Sequence, residues 1–120
     1  MELKFSSTVR PKSPNPLQAR RQKLIQKIDH EVNSCREVIG GGSVRSTWFW
    51  MEQDGTYFLP IRYGKHTLEL KKGLFSIECK NLDEVEHALL TIRQMVMQGM
   101  FDEQLQKLAM KIRKRFEKGQ

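Results

Sequence analysis

Three turn signals divide the segment between Val44 and Asn81 into four short strands, and these turns constrain the fold more than any other feature. Each signal contains a glycine, which supplies the positive φ that a two-residue hairpin loop needs. The three turns are Asp54-Gly55, Gly64-Lys65 and Lys72-Gly73. Because side chains alternate between the two faces of a strand, the position of each turn decides which residues face the core.

The three predicted registers agree on one apolar face. With Asp54-Gly55 as a two-residue loop, Trp50 lies opposite Leu59, and the later turns bring the remaining apolar residues to the same side. The predicted inner face comprises Trp48, Trp50, Leu59, Ile61, Leu68, Leu70, Phe75, Ile77 and Cys79. The predicted outer face carries Phe49, Met51, Phe58, Pro60 and Arg62. This agreement favours a four-stranded antiparallel β-meander.

A helix is predicted before the strands, from about Asn15 to Ile39. Asparagine is a good N-cap, and Pro16 is tolerated in the first turn of a helix. The apolar stripe of this helix is Leu17, Leu24, Ile25, Ile28, Val32, Cys35 and Ile39. Three glycines at 40–42 end the helix and form a flexible link, through which it could move or reach a partner subunit.

After the strands, Asn81 and Glu84 form a capping box that begins a second helix, which is expected to cover the inner face of the sheet. Gly99 favours a break before a third helix from about Asp102 to Phe116, but one long bent helix is also compatible with the pattern. The predicted fold is therefore an α+β domain over residues 15–120, preceded by an extended basic arm at residues 1–14. It comprises an N-terminal helix, the four-stranded meander and one or two C-terminal helices packed on one sheet face.

The net charge of +7 is concentrated at the two ends of the chain. Residues 1–40 carry a net charge of +4 and residues 100–120 carry +3, while the segment between them is neutral. This distribution predicts that the terminal elements attract a polyanion. The chain has no apolar run long enough for a membrane span or a secretory signal, so we expect a cytoplasmic protein without a membrane partner.

The sequence predicts no catalytic residues, no metal site and no cofactor. Its three histidines lack the spacing of a zinc motif, and the glycines at 40–42 are not followed by the residues of a phosphate-binding loop. Cys35 and Cys79 both fall on predicted apolar faces, where reduced thiols behave as small hydrophobic groups. We therefore expect a protein that is not an enzyme.

The outer sheet face is the first candidate for function. Phe49, Met51 and Phe58 are expected to cluster there beside Arg62 and Lys71, forming a platform on which the bases of a single strand could stack. Two other interpretations stay open. The first helix could cover these residues as a second small core, or the patch could be the contact of a homodimer.

The third helix is the second candidate. Its end carries four basic residues in five positions, from Lys111 to Arg115. Such a cluster binds phosphates if it faces them, but lysine and arginine are also usual on the solvent side of an amphipathic helix.

Several motifs between Trp48 and Glu103 resemble a family of small bacterial and phage-borne proteins of unknown function. They are Trp-x-Trp, Asp-Gly-x-Tyr-x-Leu-x-x-Arg-Tyr-Gly, Leu-Glu-Leu-x-x-Gly and Ile-Glu, and the segment from Ala19 to Ile25 resembles the first helix of that family. This resemblance implies an architecture and no active site. The order of four antiparallel strands and a helix is also similar to Whirly-type and general positive-cofactor single-stranded DNA-binding proteins, by topology alone.

The leading hypothesis is a non-enzymatic nucleic-acid-binding protein that uses the basic terminal elements and the outer sheet face. The predicted contacts are Arg20, Arg21, Phe49, Phe58, Arg62, Lys71, Lys111, Arg113, Lys114 and Arg115. The alternative is a protein-interaction or inhibitory adaptor of phage or plasmid type, with an acidic protein as its partner.

Overall fold

The computed structural model of the protein describes residues 2–9 and 15–118, with the side chains of the last helix described as far as Arg113. Within these residues it has three helices and five short strands, which confirms the α+β class. The elements are α1 (Pro16–Ile39), β1 (Trp50–Met51), β2 (Tyr57–Leu59), β3 (Arg62–Tyr63), β4 (His66–Thr67), β5 (Ile77–Cys79), α2 (Leu82–Met97) and α3 (Asp102–Lys118).

The predicted starts of α1 and α2 are confirmed by their caps. The Asn15 side chain accepts a hydrogen bond from the Leu17 N–H at 3.0 Å. The Asn81 side chain accepts one from the Glu84 N–H at 2.9 Å. In both cases a short polar side chain satisfies an N–H group that has no partner inside the helix.

Gly99 separates α2 from α3, so the C-terminal region forms two helices. Its φ of 84° lies in the left-handed region, which glycine adopts without a steric penalty. In the part of the chain that the structure describes, no helix is both long and apolar enough to cross a lipid bilayer.

The strands form two small antiparallel sheets, and the prediction of a single four-stranded meander is wrong. One sheet has the order β1-β2-β5, and the other pairs β3 with β4. Ile77 lies opposite Leu59, whereas the meander placed it opposite Leu68. Pro60 follows β2 and has no N–H to donate to a sheet, so the ladder is interrupted before β3 begins. The second edge of β2 is then paired by β5.

The first hairpin loop is one residue longer than predicted. Thr56 opposes Glu52 and not Gln53, because the Glu52 N–H donates to the Thr56 carbonyl at 2.8 Å. The Gly55 N–H donates to the Glu52 carbonyl at 3.0 Å, and Gly55 has a φ of 88°. These are the features of a three-residue loop, in which a type I turn precedes a glycine bulge.

This shift by one residue exchanges the two faces of β1. Trp50 pairs with Phe58 instead of Leu59, and its side chain is 46% exposed. Phe49, predicted on the outer face, is buried with 7% of its surface exposed. The predicted orientation of this strand is therefore wrong for both residues.

The pairings predicted next to the other two loops are confirmed, but the pairing of Ile77 with Leu68, predicted from the third turn, is wrong. Arg62 lies opposite Thr67, and Gly64 in the loop between them has a φ of 63°, as the first central residue of a type II′ turn requires. Lys71 forms a bridge with Leu74, which is the pairing predicted for the third turn.

Among the described residues, one hydrophobic core joins the helices to both sheets. Leu24 and Ile28 of α1, Leu59 of β2 and Leu89 of α2 are all fully buried in it. Both α1 and Phe49 belong to this core. The alternative in which α1 packs on the outer face and forms a second small core there is therefore wrong. Three ion pairs also join α1 to the other helices: Arg21–Asp102, Asp29–Arg93 and Arg36–Glu86.

Residues 2–9 of the predicted arm form neither helix nor strand, and Leu3 and Phe5 are exposed there. The rest of that arm, Met1 and residues 10–14, lies outside the described residues.

Candidate functional site

Two aromatic rings stack on the outer face of the first sheet. The ring centroids of Trp50 and Phe58 are 5.8 Å apart, and the ring planes differ by 27°. The indole N–H of Trp50 donates to Glu52 Oε1 at 2.9 Å, which fixes the orientation of the exposed ring. The pair thus presents an aromatic surface on which the indole N–H already has a partner.

A cleft of about 600 Å³ opens beside this pair, and we call it the aromatic cleft. Its lining includes Trp50 of β1, Arg62 of β3, Thr67 of β4 and Phe75, so it lies between the two sheets. Phe75 was predicted on the inner face but is 49% exposed. The predicted meander was one continuous sheet. The cleft arises because the strands form two separate sheets instead.

A smaller cavity of about 370 Å³ lies next to the cleft, and we call it the Glu31 cavity. Trp48 and Arg62 line both spaces, and Lys27, His30 and Glu31 of α1 complete one wall of the cavity. The two spaces are therefore adjacent.

The Glu31 carboxylate is buried, with 4% of the residue exposed. Its Oε1 accepts a hydrogen bond from the Trp48 N–H at 2.8 Å. Burial raises the pKa of this carboxyl, while the Trp48 N–H and the charge of His30 act in the opposite direction. The cavity thus combines a hydrogen-bond acceptor with the cationic side chains of Lys27 and Arg62.

Two of the predicted contacts, Phe58 and Arg62, lie on or beside the aromatic surface. Phe58 belongs to the stacked pair, Arg62 lines the cleft, and Lys71 is exposed on the turn after β4. Phe49 does not lie on this surface, because it is buried. It packs edge-on against Tyr57, with the ring centroids 6.4 Å apart. A buried ring has no face available for a base.

The predicted contacts on the helices lie elsewhere. The Arg21 guanidinium forms two hydrogen bonds with the Asp102 carboxylate, one of 2.8 Å from Nε, and holds the pKa of Asp102 below its usual value. Arg20 is half-buried, whereas Lys111 and Arg113 are exposed on α3. The side chains of Lys114 and Arg115 lie outside the described residues.

Both cysteines are free thiols buried in the core, as their predicted apolar positions imply. Burial is the main cause that raises the pKa of Cys35 to about 11, so this thiol is not a nucleophile at neutral pH. Among the residues that the structure describes, no three histidine, cysteine, aspartate or glutamate side chains are grouped to hold a metal ion.

Sequence reasoning missed Trp50, Phe75 and Glu31 as residues of this site. For Trp50, the signal was Gly55 itself, since a glycine there fits a three-residue loop as well as a two-residue one. For Glu31, the signal was its position three residues after Ile28, on the apolar stripe of α1. Nothing local indicated the exposure of Phe75, which depends on the pairing of β5 with β2.

Comparison of the chain with protein-family models, with curated proteins and with solved structures found no match.

Proposed function

We propose that this protein binds single-stranded DNA or RNA and catalyses no reaction. The observation that carries the proposal is the stacking of Trp50 on Phe58, in which Trp50 stays 46% exposed. Exposed aromatic rings of this kind bind nucleic-acid bases by stacking, at about 1–3 kcal/mol for each base. Phe75 offers a further ring for a neighbouring base in the same cleft.

Arg62 lies beside the aromatic surface, where it can contact phosphates. Arg62 lines the cleft, and Lys71 and Lys72 are exposed on the following turn. Glu78 pairs with Phe58 and points to the same face. We therefore expect a bound strand to run from the aromatic pair towards Arg62, since phosphates avoid the carboxylate.

The basic end of α3 supplies further phosphate contacts in this proposal. Lys111 and Arg113 are exposed, and Lys114 and Arg115 follow them in the sequence. The start of α3 is held against the segment after β4, because the Gln104 side chain pairs with the backbone of Glu69. Arg21 is left out of the proposed interface, since Asp102 already occupies its guanidinium group.

The test is the affinity of the wild type and of Trp50→Ala for a labelled single-stranded oligonucleotide at low salt. Loss of one stacking ring is expected to weaken binding about five- to 150-fold, which corresponds to the energy of stacking on one base. Leu90→Ala is the matched control, because Leu90 is 42% exposed on α2, away from the cleft. The affinity of this control should equal that of the wild type.

Two results would contradict the proposal. One is the absence of binding to any single-stranded DNA or RNA at low salt. The other is an equal loss of affinity in Trp50→Ala and Leu90→Ala, which would show that the aromatic surface is not the contact.

A second candidate function is the protein-interaction or inhibitory adaptor of phage or plasmid type. It is favoured by Leu90 and Met97, which are 42% and 55% exposed and lie seven residues apart on one face of α2. This candidate predicts an acidic protein partner that stays bound after nuclease treatment. The partner should be released by Leu90→Glu combined with Met97→Glu, and should be retained by Trp50→Ala.

A further inference from the structure

The buried carboxylate of Glu31 has one oxygen that no described residue satisfies. Its Oε1 accepts from the Trp48 N–H, but its Oε2 is buried without any hydrogen-bond partner. A buried charged or polar atom without a partner is costly, and such atoms in folded proteins usually have water or a ligand as partner. This oxygen is closed to solvent in the structure, so a donor group from outside the chain would stabilise it once the Glu31 side chain turns towards the cavity that it lines.

The surroundings of Glu31 restrict what that donor can be. Glu31 lines a cavity of about 370 Å³, together with the cationic side chains of Lys27 and Arg62. A ligand that fits both features carries a hydrogen-bond donor and an anionic group. A nucleotide whose base bears an amino group has both, because the phosphate is anionic and the amino group donates.

The position of the cavity connects it to the proposed interface. Trp48 and Arg62 line the Glu31 cavity and the aromatic cleft alike. A strand stacked on Trp50 and Phe58 therefore passes the mouth of the cavity, where one base can turn inward.

We propose that Glu31 Oε2 accepts a hydrogen bond from the exocyclic amino group of one base of the bound strand, so that the protein prefers cytosine to thymine or uracil. This inference rests on the proposed function. Cytosine carries an amino donor at the position where thymine and uracil carry a carbonyl acceptor. A carboxylate only accepts, so it pairs with the first group and repels the second.

The test compares two short homopolymers, oligo(dC) and oligo(dT), at neutral to mildly alkaline pH. Both are pyrimidine strands, so they differ mainly in the amino and carbonyl groups that the proposal distinguishes. The wild type should bind oligo(dC) about tenfold more tightly than oligo(dT). The amino group of cytosine donates a hydrogen bond to the Glu31 carboxylate, whereas the carbonyl group of thymine is repelled by it.

Glu31→Gln is the matched variant, because glutamine has nearly the same shape. Its carbonyl oxygen can keep the bond from the Trp48 N–H, which places an amide NH₂ donor where Oε2 stood. This variant should lose the preference for oligo(dC) or reverse it in favour of oligo(dT). Glu37→Gln changes an exposed carboxylate on the same helix and should leave the preference unchanged.

The outcomes separate this inference from the proposed function. Equal affinity of the wild type for both homopolymers overturns the inference and leaves the proposed function standing, whether or not the variant folds. An unchanged preference in a folded Glu31→Gln also overturns it. Absence of binding to either homopolymer overturns both.

Discussion

At the scale of single residues, the burial of Glu31 makes the stability of the protein depend on pH. Burial raises the pKa of this carboxyl above its usual value of 4.5. The folded chain therefore binds the proton more tightly than the unfolded chain does. The stability that the protonated Glu31 carboxyl contributes is fully present below the pKa that this group has in the unfolded chain. This stability is lost as the pH rises through the pKa that the group has in the folded chain.

We expect Glu31→Gln to remove this part of the pH dependence, because glutamine does not titrate. As the pH rises above 4.5, the free energy of unfolding should fall more for the wild type than for the variant. Denaturant unfolding at several pH values measures both slopes, and Glu37→Gln controls for the loss of one acidic group. Parallel curves for the wild type and Glu31→Gln would contradict the burial of a charged carboxylate.

The ion pair between Arg21 of α1 and Asp102 of α3 packs closely against Gly99, in the turn between α2 and α3. A Cβ at this position would lie 2.6 Å from Nη2 of Arg21, and the φ of 84° is already unfavourable for alanine. Gly99→Ala is therefore expected to cost about 1–2 kcal/mol of stability, because the backbone strain adds to a displacement of the side-chain ends of Arg21 and Asp102. Gly41→Ala has a similar φ of 90° with no atom nearby, so it isolates the backbone strain, at about 1 kcal/mol. Equal losses in melting temperature would contradict the close packing.

At the scale of elements, the ends of the helices and two of the three turns were predictable because they depend on neighbouring residues alone. Asn15 and Asn81 act within one turn of their own helix. Gly64 acts within its own loop. In each case the physical cause lies a few residues away in the sequence, and the α+β class follows from these elements.

The partner of β5 and the orientation of Trp50 were not predictable in this way. Asp54-Gly55 fits loops of two and of three residues, and the choice between them depends on which side chains the core accepts. The pairing of β5 with β2 depends on the interruption at Pro60 and on contacts far apart in the sequence. The cleft, which arises from both effects, was missed for the same reason.

The Gln104 side chain of α3 forms hydrogen bonds with the backbone of the segment after β4. The Gln104 amide accepts from the Glu69 N–H at 2.6 Å and donates to the Glu69 carbonyl at 2.9 Å, as a neighbouring strand would. Gln104→Ala should lower the stability by about 1–2 kcal/mol and speed hydrogen exchange at Glu69. Gln106→Ala, at an exposed position on the same helix, should do neither. Unchanged exchange in Gln104→Ala would contradict this contact.

At the scale of the whole molecule, the charge of +7 predicts that binding depends strongly on salt. Changing Lys111, Arg113, Lys114 and Arg115 together to glutamine should weaken binding and lower the slope of log affinity against log salt by up to about 3. Titrations at several salt concentrations measure this slope. An unchanged slope would remove the end of α3 from the interface.

The oligomeric state belongs to the same scale. A homodimer through the aromatic face would cover the surface that the strand is proposed to use. We therefore expect sedimentation velocity to show that an oligonucleotide shifts any dimer towards the monomer. A dimer that binds the oligonucleotide without dissociating would place the dimer contact elsewhere.

Trp50 faces outward and is proposed to stack on a nucleic-acid base, and its own fluorescence reports whether it does so. The chain has two tryptophans, so Trp48→Phe leaves Trp50 as the sole indole emitter. Titration of this variant with a single-stranded oligonucleotide at low salt should quench the emission in a saturable way, because a base stacks on the indole. Emission that stays constant while a label on the same oligonucleotide reports binding would contradict the claim.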